Sequence, residues 1–572
     1  MSKEKSTNRV VSVLVSAVIA LLGTALVGAI WLYLFCTAIN LQEPGLWILA
    51  AVLLFVYILL FRALQGHVDF GRETVTKAVG SKGRAKTYKK FNCNLKPYIV
   101  TLVPLVLLLL LAFFSDPLFN ATAYASIRQV TTSDFSADLS ESVGTDSIAL
   151  MDTASAQMLG DREIGSLSHV VSQFDVSWDY TQIDYNGKPV KVAALDYGGF
   201  FKWWNNRHTG VEGYVTVDPV SMSASFHTCE GMKYVPSAFW GQDARRHLWQ
   251  EYPTLMLDNL HFEIDEAGKP YYVASIIEKT VAVFGGHTVS GCVVMDPVTG
   301  DTVRYDVQDI PRWVDVVFDG NLLCEQYNWH GAYQNGYWNS VFAKKDCKQV
   351  TTYTVSENAE EDLEDDAPIS DYGYVAKDGD IWIYTGITSV NGDSSNIGFL
   401  LANERTGESR YYAIAGADEK SAMAAAEGEV QEKRYQASFP SLINIDGHPT
   451  YIMVLKDSGG LVKLYATVNV EQYNLVTTAD TQAECIAKYR QLLGIDQPEK
   501  PADDTTDTTV TLADIQHVVI DGNTYLYLID TEDNIYRAKA ADHESMLLLK
   551  VGDKVTLTHT GKTVLSYKTA EK

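Results

Sequence analysis

Ala267-Gly268-Lys269-Pro270-Tyr271-Tyr272-Val273, followed about twenty residues later by Gly291-Cys292-Val293-Val294-Met295-Asp296-Pro297-Val298-Thr299-Gly300, decides how most of this 572-residue chain folds. A Gly-bearing turn tolerates the positive φ of a tight hairpin. The β-branched and aromatic run behind it suits a half-buried antiparallel strand. The turn recurs at Asn186-Gly187-Lys188-Pro189, Asp378-Gly379-Asp380 and Asp446-Gly447-His448-Pro449, at spacings of 81, 111 and 68 residues. The second strand returns as Gly213-Tyr-Val-Thr-Val-Asp218-Pro and Gly398-Phe-Leu-Leu-Ala-Asn403, with a degenerate copy at Ala466-Thr-Val-Asn-Val. Unequal spacing excludes a fixed-period solenoid and indicates four diverged copies of one unit, two hairpins packed on a helix.

Helical stretches lie between the copies. Thr481-Gln-Ala-Glu484 forms a capping box, with Cys485, Tyr489 and Leu492 at helical spacing behind it, and residues 417–433 are an Ala-rich second candidate. The fold class is therefore α+β. Residues 115–150, rich in Ser, Thr, Asp and Ala, read as a membrane-proximal tether. Residues 356–368 form an acidic linker and 496–509 a Pro/Asp/Thr linker, giving two modules in 151–355, two in 369–495 and a terminal domain at 510–572. That last segment alternates polar and apolar positions between regular turns, the pattern of a small SH3-like or OB-like β-barrel.

The ending Val-Asp-x-x-Thr-Gly, seen with Met for Val at 295–300 and weakened at 402–407, resembles the repeat of PepSY-type domains, extracytoplasmic α+β modules of envelope proteins and protease propeptides. Gln157-Met-Leu-Gly-Asp-Arg162, Gly199-Phe-Phe-Lys-Trp203 and Glu325-Gln-Tyr-Asn-Trp329 also resemble a group of uncharacterised bacterial multi-span membrane proteins. That likeness covers most of residues 151–495. The resemblance implies an inhibitory, chaperoning or binding module and carries over no catalytic residues.

The first 114 residues have a different chemistry. Residues 10–39, 46–61 and 98–114 are uncharged apolar runs of 30, 16 and 17 residues, near the length that crosses a hydrocarbon core. Pro104 implies a kink in the third. Lys3, Lys5 and Arg9 precede the first run, and Arg72, Lys77, Lys82, Arg84, Lys86, Lys89, Lys90 and Lys96 lie between the second and third. By the positive-inside rule both basic segments face the cytoplasm, so an odd number of spans places everything after Phe114 outside. The basic loop suits anionic headgroups, making membrane lipid the first expected partner. A cleavage-like Ala121-Thr122-Ala123 follows the third span and leaves release there open.

Apolar residues make up 47% of the chain and the net charge is −25. Residues 1–114 hold 12 Lys and Arg against 4 Asp and Glu, and the remainder holds 34 against 67. So acidic an ectodomain repels phosphate backbones and excludes nucleic acid as its partner. Of seven cysteines, only Cys324 and Cys347 flank a turn-rich segment and suggest a disulfide. No HExxH, Gly-x-Ser-x-Gly, phosphate loop or dinucleotide fingerprint occurs, and no cofactor is indicated. His227 and Cys229 lack a second ligand pair for zinc, and Asp378 with Asp380 reads as turn chemistry.

Two aromatic segments remain. Trp203, Trp204 and His208 stand in the first, and Trp329, His330, Tyr333, Tyr337 and Trp338 in the second. Flat apolar faces beside amide and imidazole groups suit a sugar or peptide groove, and equally suit packing between modules. The expected function is non-enzymatic binding or scaffolding in the bacterial cell envelope, on a protein partner or cell-wall glycan. A regulatory subunit of a membrane protease or transporter and a carboxylate-based hydrolase are the alternatives.

Overall fold

The computed structural model describes residues 2–65, 71–79, 84–92, 96–139, 150–151, 153–351, 372–390, 395–495, 506–520, 523–532, 534–540, 543–560 and 562–569. The chain divides into two compact units, Met1–Leu492 and Leu493–Lys572.

Three helices of the first unit, Val11–Phe35, Pro44–Leu64 and Lys96–Phe114, are long and apolar enough to cross a membrane. Gly23 and Gly28 let the first approach the second closely, because a Cβ there would meet Leu60 or Leu53. Glu43 caps the second helix by accepting from Gly45 N, with Pro44 opening its first turn. Pro104 stands in the third of these helices. It falls in the first turn of helix Leu102–Phe114, behind a 3-10 turn at Lys96–Thr101, where a missing N–H breaks no helical bond. The basic loop contains a β-hairpin, Gly71–Val79 paired with Arg84–Asn92.

Four antiparallel sheets follow, each a meander opened by one of the repeated turns. Asn186 and Gly187, Asp378 and Gly379, and Asp446 and Gly447 all have positive φ, whereas at the second turn Gly268 alone does. The first sheet runs Thr181–Tyr185, Lys188–Tyr197, Val211–Asp218 and Ser223–Met232. The second runs Met256–Ile264, Pro270–Val281, Gly285–Met295 and Thr302–Asp306. Gly373–Lys377, Asp380–Ser389, Gly398–Asn403 and Ser409–Tyr412 form the third. Ser441–Ile445, His448–Lys456, Val462–Asn469 and Val476–Ala479 form the fourth.

Period-two alternation assigns each inner sheet to two cores. Tyr272, Ala274 and Ile276 pack with the first sheet, while Val273 between them joins Ile383 and Leu400 of the third. Trp382 and Tyr384 in turn pack with Tyr451 and Met453 of the fourth. The second and third sheets are thus covered on both faces, not half-buried. That is why strand Asp380–Ser389 carries the unbroken apolar run Ile381-Trp382-Ile383-Tyr384 and is buried along nearly its whole length. The fourth sheet reaches back to helix Thr153–Gly165, which packs on the first, through Lys456 Nζ to Ser155 Oγ at 3.3 Å. Helix Gln482–Leu492 starts where the capping box places it, with Glu484 N donating to Thr481 Oγ1.

Residues 115–139 differ from a tether. Helix Pro117–Ser126 packs on helix Gly320–Tyr333, and Val130–Thr132 adds a parallel edge strand to the third sheet. The buried Arg128 donates to Gln326 and to the Gly407 carbonyl. Cys324 and Cys347 are both buried and neither is in a disulfide, and Cys347 Sγ contacts the Ala332 carbonyl, so the suggested bridge is not formed. The acidic linker 356–368 lies outside the described residues. In the second unit, Thr506–Ile520, Asn523–Asp530, Ile535–Lys539, Lys554–Thr560 and Thr563–Thr569 pair in a closed ring around Leu526, Leu528, Val555 and Leu557. Its first strand begins inside the stretch read as linker 496–509.

Candidate functional site

The second sheet and the helix before it dock on the ends of the spans. Arg246 of helix Ala244–Glu251 donates from Nε to the Tyr33 carbonyl at 2.9 Å, and Trp249 Nε1 donates to the Thr37 carbonyl at 2.9 Å. Ile39 N donates to Pro253 O at 2.7 Å. Gln42 Nε2 donates to Lys279 O at 2.9 Å. At the hairpin of the second sheet, Phe284 N donates to Ser115 Oγ, one residue beyond the third span, at 3.1 Å.

These contacts surround a cavity of about 580 Å³. Phe35, Leu248, Leu257, Ile277 and Phe284 supply apolar wall, and Glu43, Arg245, Asp258 and Lys279 supply charge of both signs. Two lining residues, Cys36 and Asn259, each hold a φ of 47°. Side chains other than Gly rarely adopt that backbone, and such strain concentrates where a surrounding structure holds it for use. At Asn259 the cause is a bulge. His261 pairs with Val273 and Asp258 with Ser275, leaving Asn259 and Leu260 opposite Ala274. Asn259 Nδ2 is buried and has no hydrogen-bond partner among the described residues. Asn259 is also one of the residues that line the cavity, so an unpaired amide donor lies beside its wall.

Behind it the same strand is fully satisfied. His261 Nδ1 donates to Asn259 O and Nε2 donates to Glu263 Oε1, both at 2.7 Å. Glu263 also accepts from Asp315 N at 2.9 Å and Val316 N at 3.0 Å. Asp315 accepts from Asp184 N at 2.7 Å. Burial pushes the His261 pKa down, but the bond and charge of Glu263 outweigh it and hold the imidazolium above its ordinary range. Burial and then the Glu263 charge drive Asp315 well above the usual carboxylate range. Burial and then Asp319 do the same to Glu404. All three carboxylates are sealed from solvent.

The aromatic residues named from sequence form two separate clusters, not one groove. Trp203 is buried and donates from Nε1 to Gln242 Oε1 at 3.1 Å. Trp204 is exposed with the Arg207 guanidinium 3.9 Å over its ring, and His208 is exposed. Trp329 meets Tyr124 edge-on, and His330 Nδ1 donates to Ala125 O at 3.0 Å. Tyr333 touches Tyr124, and Tyr337 continues through Trp338 to Phe342. The second cluster therefore secures helix Pro117–Ser126 to helix Gly320–Tyr333. Among the described residues no group of three His, Cys, Asp or Glu side chains is placed to hold a metal. His227 Nε2 meets Thr216 Oγ1, and Asp380 is taken by Arg405 and Asn403. Sequence reasoning missed Asn259; its one signal was the adjacent polar pair Asp258-Asn259, which breaks the strand alternation.

No family model and no curated protein matches this chain. Among solved structures it is similar to a GH43_1 enzyme from Xanthomonas citri complexed with xylotriose, at 11% identity over 65% of this chain and 96% of that one, TM-score 0.17. It is also similar to a B. megaterium levansucrase variant, at 9% identity over 78% and 97%, TM-score 0.17. A third is cobalt-substituted Synechocystis ACO, at 8% over 70% and 65%, TM-score 0.13. Similarities at these TM-scores carry no argument about fold or activity.

Proposed function

We propose that this is a membrane-anchored extracytoplasmic binding protein that takes an amphiphilic ligand at the junction between its spans and its second sheet. The observation that carries the reading is the unpartnered Asn259 amide in the wall of a cavity that is apolar on Phe35, Leu248, Leu257 and Ile277 and charged at Arg245 and Lys279. An apolar cavity with a few convergent polar groups is the usual form of a small-molecule site. The ligand's chain lies against the apolar wall, its carbonyl or hydroxyl oxygen accepts from Asn259 Nδ2, and an acidic head meets Arg245 or Lys279. The basic segments flanking the first two spans support an exterior location for the sheets. The meanders read as PepSY-like modules serving binding, and the terminal ring of strands as an SH3-like or OB-like barrel. Non-enzymatic action is favoured because the carboxylates behind the cavity are closed to solvent, with Glu263 bonded to two backbone N–H groups.

The test is native mass spectrometry of the full chain released from its own membrane, beside Leu257→Trp, which fills the cavity. A bound amphiphile on the wild type that Leu257→Trp lacks is the expected result. Equal occupancy of both, or none on either, overturns the reading. A reporter active only outside the cytoplasm, fused after Lys572, should be active; silence there, with activity of a cytoplasmic reporter, overturns the orientation.

A further inference from the structure

We infer that the aromatic cluster around Trp240 is a second membrane contact, seated at the headgroup–acyl boundary of the leaflet where the first span ends. Helix Phe200–Asn206 and the turn at Trp240–Gln242 gather Phe200, Phe201, Trp204, Phe239 and Trp240. Phe200 lies 5.2 Å from Phe239 and 5.8 Å from Trp240, and Trp204 lies 5.9 Å from Trp240. The buried Trp203 supports them from below, 5.3 Å from Trp240. Phe201 is nevertheless 80% exposed, Trp240 52% and Trp204 42%. A contiguous patch of that kind marks a partner surface.

Its position commits the partner to lipid. One guanidinium, that of Arg246, donates from Nη1 to the Trp240 carbonyl at 2.7 Å and from Nε to the Tyr33 carbonyl at 2.9 Å. It also lies 4.7 Å over the Tyr33 ring. Tyr33 stands two residues before the end of the span at Phe35. A single side chain thus holds the Trp240 backbone at the last turn of a membrane helix, the depth where Trp and Tyr rings partition in ordinary spans. Arg207 over Trp204 supplies a cation for anionic headgroups. The contact is separate from the cavity: none of the cluster residues lines it.

The test uses the full chain in phosphatidylglycerol–phosphatidylethanolamine nanodiscs holding one copy each. Phe201→Cys and, separately, Tyr473→Cys are exposed to a polar maleimide, and labelling is read peptide by peptide so that native cysteines do not interfere. Tyr473 is 57% exposed, in a loop of the fourth sheet. Labelling of Phe201→Cys should be at least about tenfold slower, because the thiol sits in lipid. Equal rates overturn the inference, as does protection that appears only in discs holding two copies, which would make the cover a second chain. A second measurement needs no cysteine. Lipids brominated along the acyl chain should quench a smaller share of tryptophan fluorescence in Trp240→Ser than in the wild type, and an unchanged share overturns the inference.

Discussion

Strand Met256–Ile264 has two ends that differ in what they leave undone. At His261–Glu263 every polar atom that enters the interior is bonded, to backbone N–H groups or to its neighbour. Two residues earlier, Asn259 spends strained backbone on a bulge and leaves a buried amide donor unpaired beside a cavity. Leaving such a donor unpaired costs about 1–3 kcal/mol. A satisfied buried group is the signature of a brace, and an unsatisfied one beside a cavity is the signature of a site. Substitution at the two ends should therefore move different observables.

The largest effect belongs to the satisfied end. Glu263→Ala strips the acceptor from Asp315 N and Val316 N and leaves the His261 cation buried without its partner, so it should cost about 3–5 kcal/mol of stability. Chemical unfolding of the purified full chain measures it. A loss under about 1 kcal/mol would mean that Glu263 is no brace, and the contrast between the two ends would fail.

Next comes pH. Glu419, buried at the start of helix Glu419–Glu429, accepts from Gly386 N at 2.7 Å and Thr351 Oγ1 at 3.1 Å, yet burial holds its pKa up at about 7. An acid raised in the folded state costs nothing at low pH. Its cost grows as pH climbs from the unfolded value near 4.3 and is complete above the folded value, at about 4 kcal/mol. His261 has the opposite charge type but the same direction: its raised pKa stabilises fully below about 6.5, and that contribution is lost as pH rises through the folded value. The wild type should accordingly be more stable at pH 6 than at pH 8. Glu419→Gln keeps both hydrogen bonds and should remove part of that slope, as should His261→Gln, while the raised Asp315 and Glu404 carboxyls supply the remainder in the same direction. A wild-type profile that rises from pH 6 to 8 contradicts both.

How much of this the chain shows without coordinates depends on the range of the interaction. The spans and the four turns are legible because they rest on local chemistry: an uncharged run, or a Gly that follows Asn or Asp at three turns and Ala at the fourth. The stacking of sheets is not, since nothing near Ile381-Trp382-Ile383-Tyr384 says that its two faces meet different sheets. Trp203 and Trp204 make the same point at one position: adjacent on a helix, they differ by about 100° in direction, and only the neighbouring turn at Trp240 decides which is buried. The tether reading of 115–150 missed what residues 115–139 do, because small polar residues hide Arg128, which meets Gln326 and Gly407, and Tyr124, which meets Gly285, all some 160–280 residues away. The candidate site combines residues 35–44, 245–260 and 274–284, and no one of those stretches announces it.

The smallest effect on stability belongs to the open end, and it is the most discriminating. Asn259→Gly removes the side chain that carries the donor while supplying the one residue for which φ near 47° is cheap. If the amide only fills space, the variant should lose a little packing and bind as before. If strain is held there to present the amide, relief of that strain and removal of a buried unpaired donor should leave stability unchanged or raised by about 1 kcal/mol. Amphiphile retention should fall about tenfold, the worth of one hydrogen bond to a ligand. The two readouts then separate in sign, which neither a general destabilisation nor a neutral surface substitution can produce. Retention that matches the wild type would return Asn259 to the class of residues that Glu263 represents.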